Sequence, residues 1–113
     1  MPKKPVSPRP EVSDAVRALG AMIRRARIER GLTAEEFAGR LAVSRPTLAA
    51  IERGEPTVAI GTTLNAAALL GIPLFSTTDP VEVARLRRSA ERDLGLIPSR
   101  VDVTEASRDD SDF

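Results

Sequence analysis

Apolar residues recur every three or four positions along most of this chain, which is the period of an α-helix. A first helix is predicted from an N-cap at Ser13 to about Arg30, with Gly31 just beyond its end. One face of this helix carries apolar side chains at helical spacing: Val16, Leu19, Ile23 and Ala26. The pattern therefore predicts an amphipathic helix that buries one face against the rest of a domain.

Two shorter helices follow, and each has its own start signal. Thr33 and Glu36 have the Thr-x-x-Glu spacing of a capping box, which predicts a helix at about 34–41. Ser44 is a suitable N-cap for a second short helix, at about 45–53. Two short helices joined by a tight turn are a common way of presenting the second helix to the DNA major groove.

The residues at the two ends of the second short helix agree with this interpretation. Pro46 falls in its first turn, where a missing N–H costs little, and Gly54 lies just past its end. The apolar residues of the pair are expected in the core: Phe37, Leu41, Val43, Leu48 and Ile51.

A fourth helix is predicted at about 59–70, where Gly71 ends it. Its inward face is predicted to consist of Ile60, Leu64, Ala67 and Ala68. The apolar residues near 72–76 could form a short β-strand, which Pro73 would restrict to an edge or an end position.

A fifth helix has a strong start signal, with Asp79 as N-cap and Pro80 as the first helical residue. It is predicted to reach about Asp93, with Gly95 ending it. An apolar stripe is formed by Val83, Leu86 and Ala90, and the opposite face carries Arg85, Arg87, Arg88 and Arg92.

Charge and composition divide the chain into four segments. We predict a disordered basic leader at 1–12, a helix-turn-helix domain at 13–78, a C-terminal helix at 79–95 and an acidic tail at 96–113. The net charge of +1 hides a mildly basic domain, because the last 13 residues alone carry a net charge of −4. A basic domain followed by an acidic tail fits a DNA-binding protein with a detachable or protein-binding end. The alternative is that both ends of the chain are simply solvated, disordered segments.

The composition argues against an enzyme. The chain has no His and no Cys, so the usual zinc sites and Cys–His nucleophilic pairs are excluded. Neither a cofactor nor a metal is predicted, and no glycine-rich phosphate loop is present. No apolar run reaches the length of a membrane span, and the N-terminus lacks a signal peptide, so a cytoplasmic location is expected.

The residues between Leu19 and Phe75 resemble the lambda-repressor-like, or Xre-type, helix-turn-helix family. The resemblance is carried by Ile23-Arg24-x-x-Arg27, Arg30-Gly-Leu-Thr33, Glu36-x-Ala38, Val43-Ser-Arg45, Thr47-Leu48, Ile51-Glu-Arg-Gly54 and Leu70-Gly-Ile-Pro-Leu74. It implies an all-α, five-helix lambda-repressor-like helix-turn-helix domain with an extra C-terminal helix and disordered ends.

The resemblance also implies DNA-contacting residues. It places Arg45, Pro46, Thr47 and Ala50 at base-facing positions of the second short helix. Arg45 can bridge guanine O6 and N7, whereas Pro46 and Ala50 can offer only apolar contact, such as with a thymine methyl. The alternative for Arg45 is a solvated arginine in the first turn of a helix.

Phosphate contacts are implied for Thr33, Arg40, Ser44 and Arg53, alongside the capping roles of Thr33 and Ser44. The family often has a phosphate-binding Gln directly after the threonine, and this chain has Ala34 there instead.

Arg27 and Glu52 are expected to form a structural ion pair. Related sequences join the first helix to the recognition helix through a partly buried pair at these positions. A structural role is therefore expected for both residues, and not a contact with DNA.

Three functions remain open at this stage. The first is a transcriptional repressor that binds a palindromic operator on double-stranded DNA as a homodimer, specifically an antitoxin of the HipB type whose partner is a HipA-like kinase toxin. The second is a stand-alone Xre-type repressor. The third is a protein-interaction adaptor that no longer reads DNA, which Ala34, Pro46 and Ala50 favour.

Overall fold

The computed structural model describes residues 7–98, which form five α-helices and no sheet. The helices are α1 (Pro10–Glu29), α2 (Ala34–Leu41), α3 (Arg45–Arg53), α4 (Ile60–Leu69) and α5 (Pro80–Gly95). The all-α fold class and the number of helices are therefore confirmed. The chain divides into two units, the first ending at Thr78 and the second beginning at Asp79. The predictions for the first six residues and for 99–113 lie outside the described residues.

The start of α1 differs from the prediction. The N-cap is Arg9, with an extended backbone, and Pro10 is the first helical residue. Ser13, the predicted N-cap, lies inside the helix and its N–H donates to the carbonyl oxygen of Arg9 at 2.9 Å. Proline is well suited to this first position because its φ is already helical and the N–H it lacks would have no partner. The last three residues of the segment predicted as the leader are thus helical.

The local start signals of α2 and α3 are confirmed. The N–H of Thr33 donates to Glu36 Oε1 at 2.9 Å, and the N–H of Glu36 donates to Thr33 Oγ1 at 3.0 Å, so both halves of the capping box form. At the start of α3, the N–H of Thr47 donates to Ser44 Oγ at 3.2 Å. Gly54 ends α3 in the left-handed region, with φ of 75°.

The core of the first unit lies between α1, α2, α3 and α4. Its buried residues are Ile23, Phe37, Ala38, Leu41, Leu48, Ile51, Ala66, Ala67 and Leu70. Four of the five core residues predicted from the helix pair are among them, and Val43 is half-buried against the cluster. The predicted inward face of α1 is also confirmed in Ile23, which is fully buried, and in Leu19 and Ala26, which pack against the core.

The inward face of α4 was predicted correctly only in part, at Ala67. The structure buries Ala66, Ala67 and Leu70, whereas Ala68 is exposed and Ile60 is 77% exposed. The residues from 66 to 70 are all apolar, so the spacing could not select one face. Packing against α1 selects it here, and the small alanine side chains allow a close approach.

The short strand considered near 72–76 is reduced to an isolated antiparallel bridge between Leu74 and Thr77. The two residues exchange backbone hydrogen bonds of 2.8 and 3.1 Å. Phe75 and Ser76 between them have φ values of 51° and 67°, as the central residues of a two-residue type I′ turn require.

The second unit contains α5, whose start at Pro80 agrees with the prediction. Asp79 Oδ1 accepts a hydrogen bond from the N–H of Val81 at 2.9 Å. The helix extends two residues beyond Asp93 and ends at Gly95, which is the end of the segment predicted for it, with Leu96 as the C-cap. No residue of α5 is buried. In the described part of the chain, no helix is both long enough and apolar enough to cross a membrane.

Candidate nucleic-acid interface

Helix α3 has one face in the core and one face open to solvent. Leu48 and Ile51 are each only 1% exposed, and they hold α3 against α1 and α2. Arg45, Pro46 and Arg53 are exposed on the opposite side. The helix therefore presents its first turn and one full side to any molecule that approaches the first unit.

The four residues predicted to contact bases lie together near the start of α3. Arg45 and Pro46 are exposed, while Thr47 and Ala50 are half-buried. The guanidinium group of Arg45 makes no hydrogen bond or ion pair with any residue in 7–98, so it keeps all its donors for an external ligand. Thr47 accepts a hydrogen bond of 2.9 Å from the Ser44 hydroxyl, which joins the helix cap to this surface.

The starts of α2 and α3 supply backbone N–H groups and hydroxyl groups, at Thr33 and Ser44 respectively. Both hydroxyl groups serve as caps, and both residues remain exposed to solvent. Ala34, which stands where related sequences often have Gln, is half-buried against the core. An anion could bind at these helix starts, because the helix dipole and the first N–H groups favour negative charge there.

A family model described as a helix-turn-helix domain matches residues 18–74, just over half of the chain. This chain belongs to the helix-turn-helix domain family. The matched residues include most of α1, all of α2, α3 and α4, and the segment that leads to Leu74. Neither a curated protein nor a solved structure matches the chain.

Within this helix-turn-helix unit, Arg27 of α1 and Glu52 of α3 form a nearly buried ion pair. Arg27 Nε donates to Glu52 Oε2 at 2.7 Å, and a second nitrogen of the same group donates to Oε1 at 3.1 Å. The side chains are only 11% and 10% exposed. A third hydrogen bond, of 2.8 Å, runs from Arg27 to the carbonyl oxygen of Leu32. The hydrogen bonds to Glu52 raise the pKa of Arg27 above its ordinary value, although burial acts in the opposite direction.

The two arginines predicted to contact phosphate differ in their surroundings. Arg40 is exposed at the end of α2, and its charge helps to stabilise the ionised Glu36. The hydrogen bonds that Glu36 makes with Thr33, backbone first and side chain second, lower the pKa of Glu36. Arg53 is paired instead, because its Nε donates to Glu55 Oε2 at 2.9 Å and a second nitrogen binds the same oxygen. Arg53 must give up part of this pairing to bind a phosphate.

The sequence analysis missed a close helix contact that sets the position of α3. A Cβ atom at Gly20 would lie 2.5 Å from the carbonyl oxygen of Ile51 and 2.8 Å from that of Glu52. Helix α1 therefore meets the backbone of α3 with no side chain between them. The sequence does offer one signal, which is a glycine in the middle of the predicted first helix. Glycine lowers helix stability there, so its presence indicates that close packing requires it.

The sequence analysis also missed an open depression beside α3. Its lining combines α3 with the following loop and the start of α4: Pro46, Thr47, Ala50, Thr57, Val58, Ala59 and Thr62. The loop residues gave no signal in the sequence, since only the fold brings them next to α3.

Proposed function

We propose that this protein binds double-stranded DNA at selected sequences and represses transcription, with α3 lying in the major groove. The observation that supports this most directly is Arg45, which is exposed, lies in the first turn of α3 and has no partner among residues 7–98. Early residues of the second helix are those that meet base edges in helix-turn-helix proteins. A free guanidinium group is the side chain best suited to bind guanine O6 and N7 together.

Phosphate contacts would hold α3 in place. Thr33 and Ser44 mark two helix starts that face solvent, and Arg40 adds a positive charge at the end of α2. Such contacts orient a protein on the duplex and supply most of its salt-dependent affinity. Arg53 joins this set when a phosphate replaces Glu55 as its partner.

We further propose that the protein acts as a homodimer on a palindromic operator. A single recognition helix reads few base pairs, and two half-sites one turn apart multiply the contacts. Helix α5 is one of two candidate dimer surfaces, because none of its residues is buried and its apolar stripe includes Leu86, which is 46% exposed. The other candidate is the segment from Ile72 to Phe75, where Phe75 is 80% exposed.

Among repressors, we propose a cytoplasmic antitoxin that controls its own operon and binds a HipA-like kinase toxin. The support is resemblance in size, in the Gly71-Ile-Pro-Leu-Phe75 segment after the helix-turn-helix and in the acidic C-terminal residues. A stand-alone repressor shares all these features except a role for the acidic residues. Removal of residues 101–113 separates the two, since it should abolish toxin binding and leave a stand-alone repressor unaffected.

One observation favours an adaptor that does not read DNA. The exposed side of α3 is apolar after Arg45, and the second arginine of that side, Arg53, is paired with Glu55. An adaptor would show equal, weak affinity for all duplexes.

The deciding experiment is a fluorescence-anisotropy titration with the DNA upstream of the protein's own gene, using random duplex as the control. We expect site-selective binding that weakens steeply with salt and that Arg45→Ala reduces at the selected site. Arg25→Ala is a matched control, since Arg25 is an exposed arginine of α1 that pairs with Glu29. Equal affinity of the wild-type protein for both duplexes would contradict the proposal.

A further inference from the structure

Amide side chains, which can bond adenine through two atoms at once, are almost absent from the chain. Adenine is read in the major groove by the paired donor and acceptor of an Asn or Gln amide. The sequence contains no Gln, and its single Asn, Asn65, lies in α4. Helix α3 itself, Arg-Pro-Thr-Leu-Ala-Ala-Ile-Glu-Arg, carries no amide side chain.

Direct reading of cytosine is also prevented, because the acidic groups at α3 are already bound. Cytosine presents an N4 donor, which a carboxylate accepts. Glu52 accepts two hydrogen bonds from Arg27 and its side chain is only 10% exposed. Glu55, just after α3, accepts from Arg53. The Glu52 carboxylate is therefore not free to face a base, and Glu55 lies beyond the end of α3 that is opposite Arg45.

Apart from Arg53, which is paired with Glu55, and the Thr47 hydroxyl, which is bound to Ser44, the solvent-facing surface of α3 after Arg45 is made of methyl and methylene groups. Pro46 is exposed, and Ala49 and Ala50 are half-buried beside it. The open depression on one side of Pro46 is lined by Thr47, Ala50 and Val58 among others, and a second depression on its other side is lined in part by Ala34 and Ala49. Thymine is the only base that presents an apolar group, its C5 methyl, in the major groove.

We propose that α3 recognises thymine through its C5 methyl, which packs against Pro46 and Ala50 in the depression beside α3, next to a guanine bound by Arg45. The five residue steps of α-helix from Arg45 to Ala50 span about 7.5 Å, roughly two base-pair steps. The half-site therefore combines a guanine with one or more thymines within about two or three base pairs. This inference rests on the proposed DNA-binding function and defines the base chemistry of that site.

The test begins with selection of sites from a pool of random duplexes by the full-length protein. Each thymine of the selected site is then replaced by deoxyuridine, which removes one methyl group and changes nothing else on the base edge. We expect one or two replacements to weaken binding about fourfold each, the effect of removing one methyl group from an apolar contact. Replacement of a cytosine by 5-methylcytosine at an otherwise matched position should strengthen binding by a similar factor.

Two variants connect the effect to the residues. In Ala50→Gly and Pro46→Ala, the ratio of affinities for the thymine and deoxyuridine duplexes should fall towards one at the sensitive position. The ratio is measured with the same protein sample on both duplexes, so a variant that is partly unfolded still reports it. Arg25→Ala, at an exposed ion pair of α1, should leave the ratio at the wild-type value.

The outcomes separate this inference from the function on which it rests. A selected site at which every deoxyuridine duplex binds as tightly as its thymine counterpart would overturn the inference and leave DNA reading intact. A methyl effect that persists unchanged in both variants would also overturn it, because other residues would then bind the methyl group. If no sequence is enriched at all, the proposed function fails and the inference fails with it.

Discussion

Arg27 of α1 and Glu52 of α3 are joined by two hydrogen bonds, of 2.7 and 3.1 Å, in an ion pair that is almost closed to solvent. The same guanidinium group holds the carbonyl oxygen of Leu32, just before α2 begins. The Arg27 side chain thus connects α1 both to α3 and to the segment that leads into α2. Neither partner is free to contact DNA.

The first prediction concerns this ion pair. Arg27→Ala leaves the Glu52 carboxylate without its partner in a site that is only 10% exposed, and we expect it to lower the free energy of unfolding by about 3 kcal/mol. Arg25→Ala removes an exposed pair with Glu29 and should cost less than about 1 kcal/mol. Urea denaturation followed by circular dichroism measures both. Equal midpoints for Arg27→Ala and wild type would show that the pair is not structural.

The second prediction concerns the contact between α1 and α3. Gly20→Ala places a Cβ 2.5 Å from a backbone carbonyl oxygen, which cannot move as a flexible side chain can, so we expect a loss of at least about 2 kcal/mol. Gly39→Ala is the matched control, because a Cβ at Gly39 in α2 meets nothing within 4 Å and alanine is the better helix former. Thermal melts should therefore shift in opposite directions. A stabilised Gly20→Ala would contradict the close crossing of the two helices.

The third prediction concerns pH and the capping box. Glu36 has a lowered pKa in the folded protein, so its contribution to stability is fully present above its ordinary pKa of 4.5. That contribution is lost as the pH falls through the lowered value. Glu36→Gln removes the charge that accepts the N–H of Thr33, and we expect it to destabilise the protein at neutral pH. The difference between variant and wild type should shrink below pH 4.5, as unfolding curves at pH 7 and pH 3 would show; a constant difference would contradict the role of Glu36.

The fourth prediction concerns Arg53, which Glu55 holds by two hydrogen bonds. Glu55→Gln releases Arg53 and removes a negative charge close to the recognition helix. We expect tighter binding to selected and random duplexes alike, since phosphate contacts carry no sequence information. Arg53→Ala should reduce the salt dependence of binding by about one unit of slope. The effect of Glu55→Gln is also measured in a protein that carries Arg53→Ala. If it strengthens binding by the same factor there as in the wild-type protein, Arg53 is not the phosphate ligand.

The fifth prediction concerns the proposed dimer. Leu86→Glu places a charge in the apolar stripe of α5, and we expect the dimer to dissociate, as measured by sedimentation equilibrium. Arg88→Glu changes a charge on the polar face and serves as the control. Weaker operator binding should accompany dissociation, because each half-site is then bound separately. If the Leu86→Glu protein remains dimeric, the stripe of α5 is not the dimer surface. The segment from Ile72 to Phe75 is then the candidate.

The sequence by itself determined most of the helix boundaries, because caps depend on residues three or four positions apart. The capping box of Thr33 and Glu36, the Ser44 cap and the Gly54 end needed no knowledge of the fold. The start of α1 is equally local, but the first ten residues contain four prolines, a composition typical of disordered segments, and Pro10 instead begins the helix.

The tertiary structure alone decided what depends on residues far apart in the chain. It selected the buried face of α4, where apolar residues occupy several sides, and it placed Gly20 against α3. It also brought Val58 and Thr62 beside Pro46 to form the depression next to the recognition helix. A local pattern specifies where a helix begins and ends, but which side is buried follows from the packing of whole helices against one another.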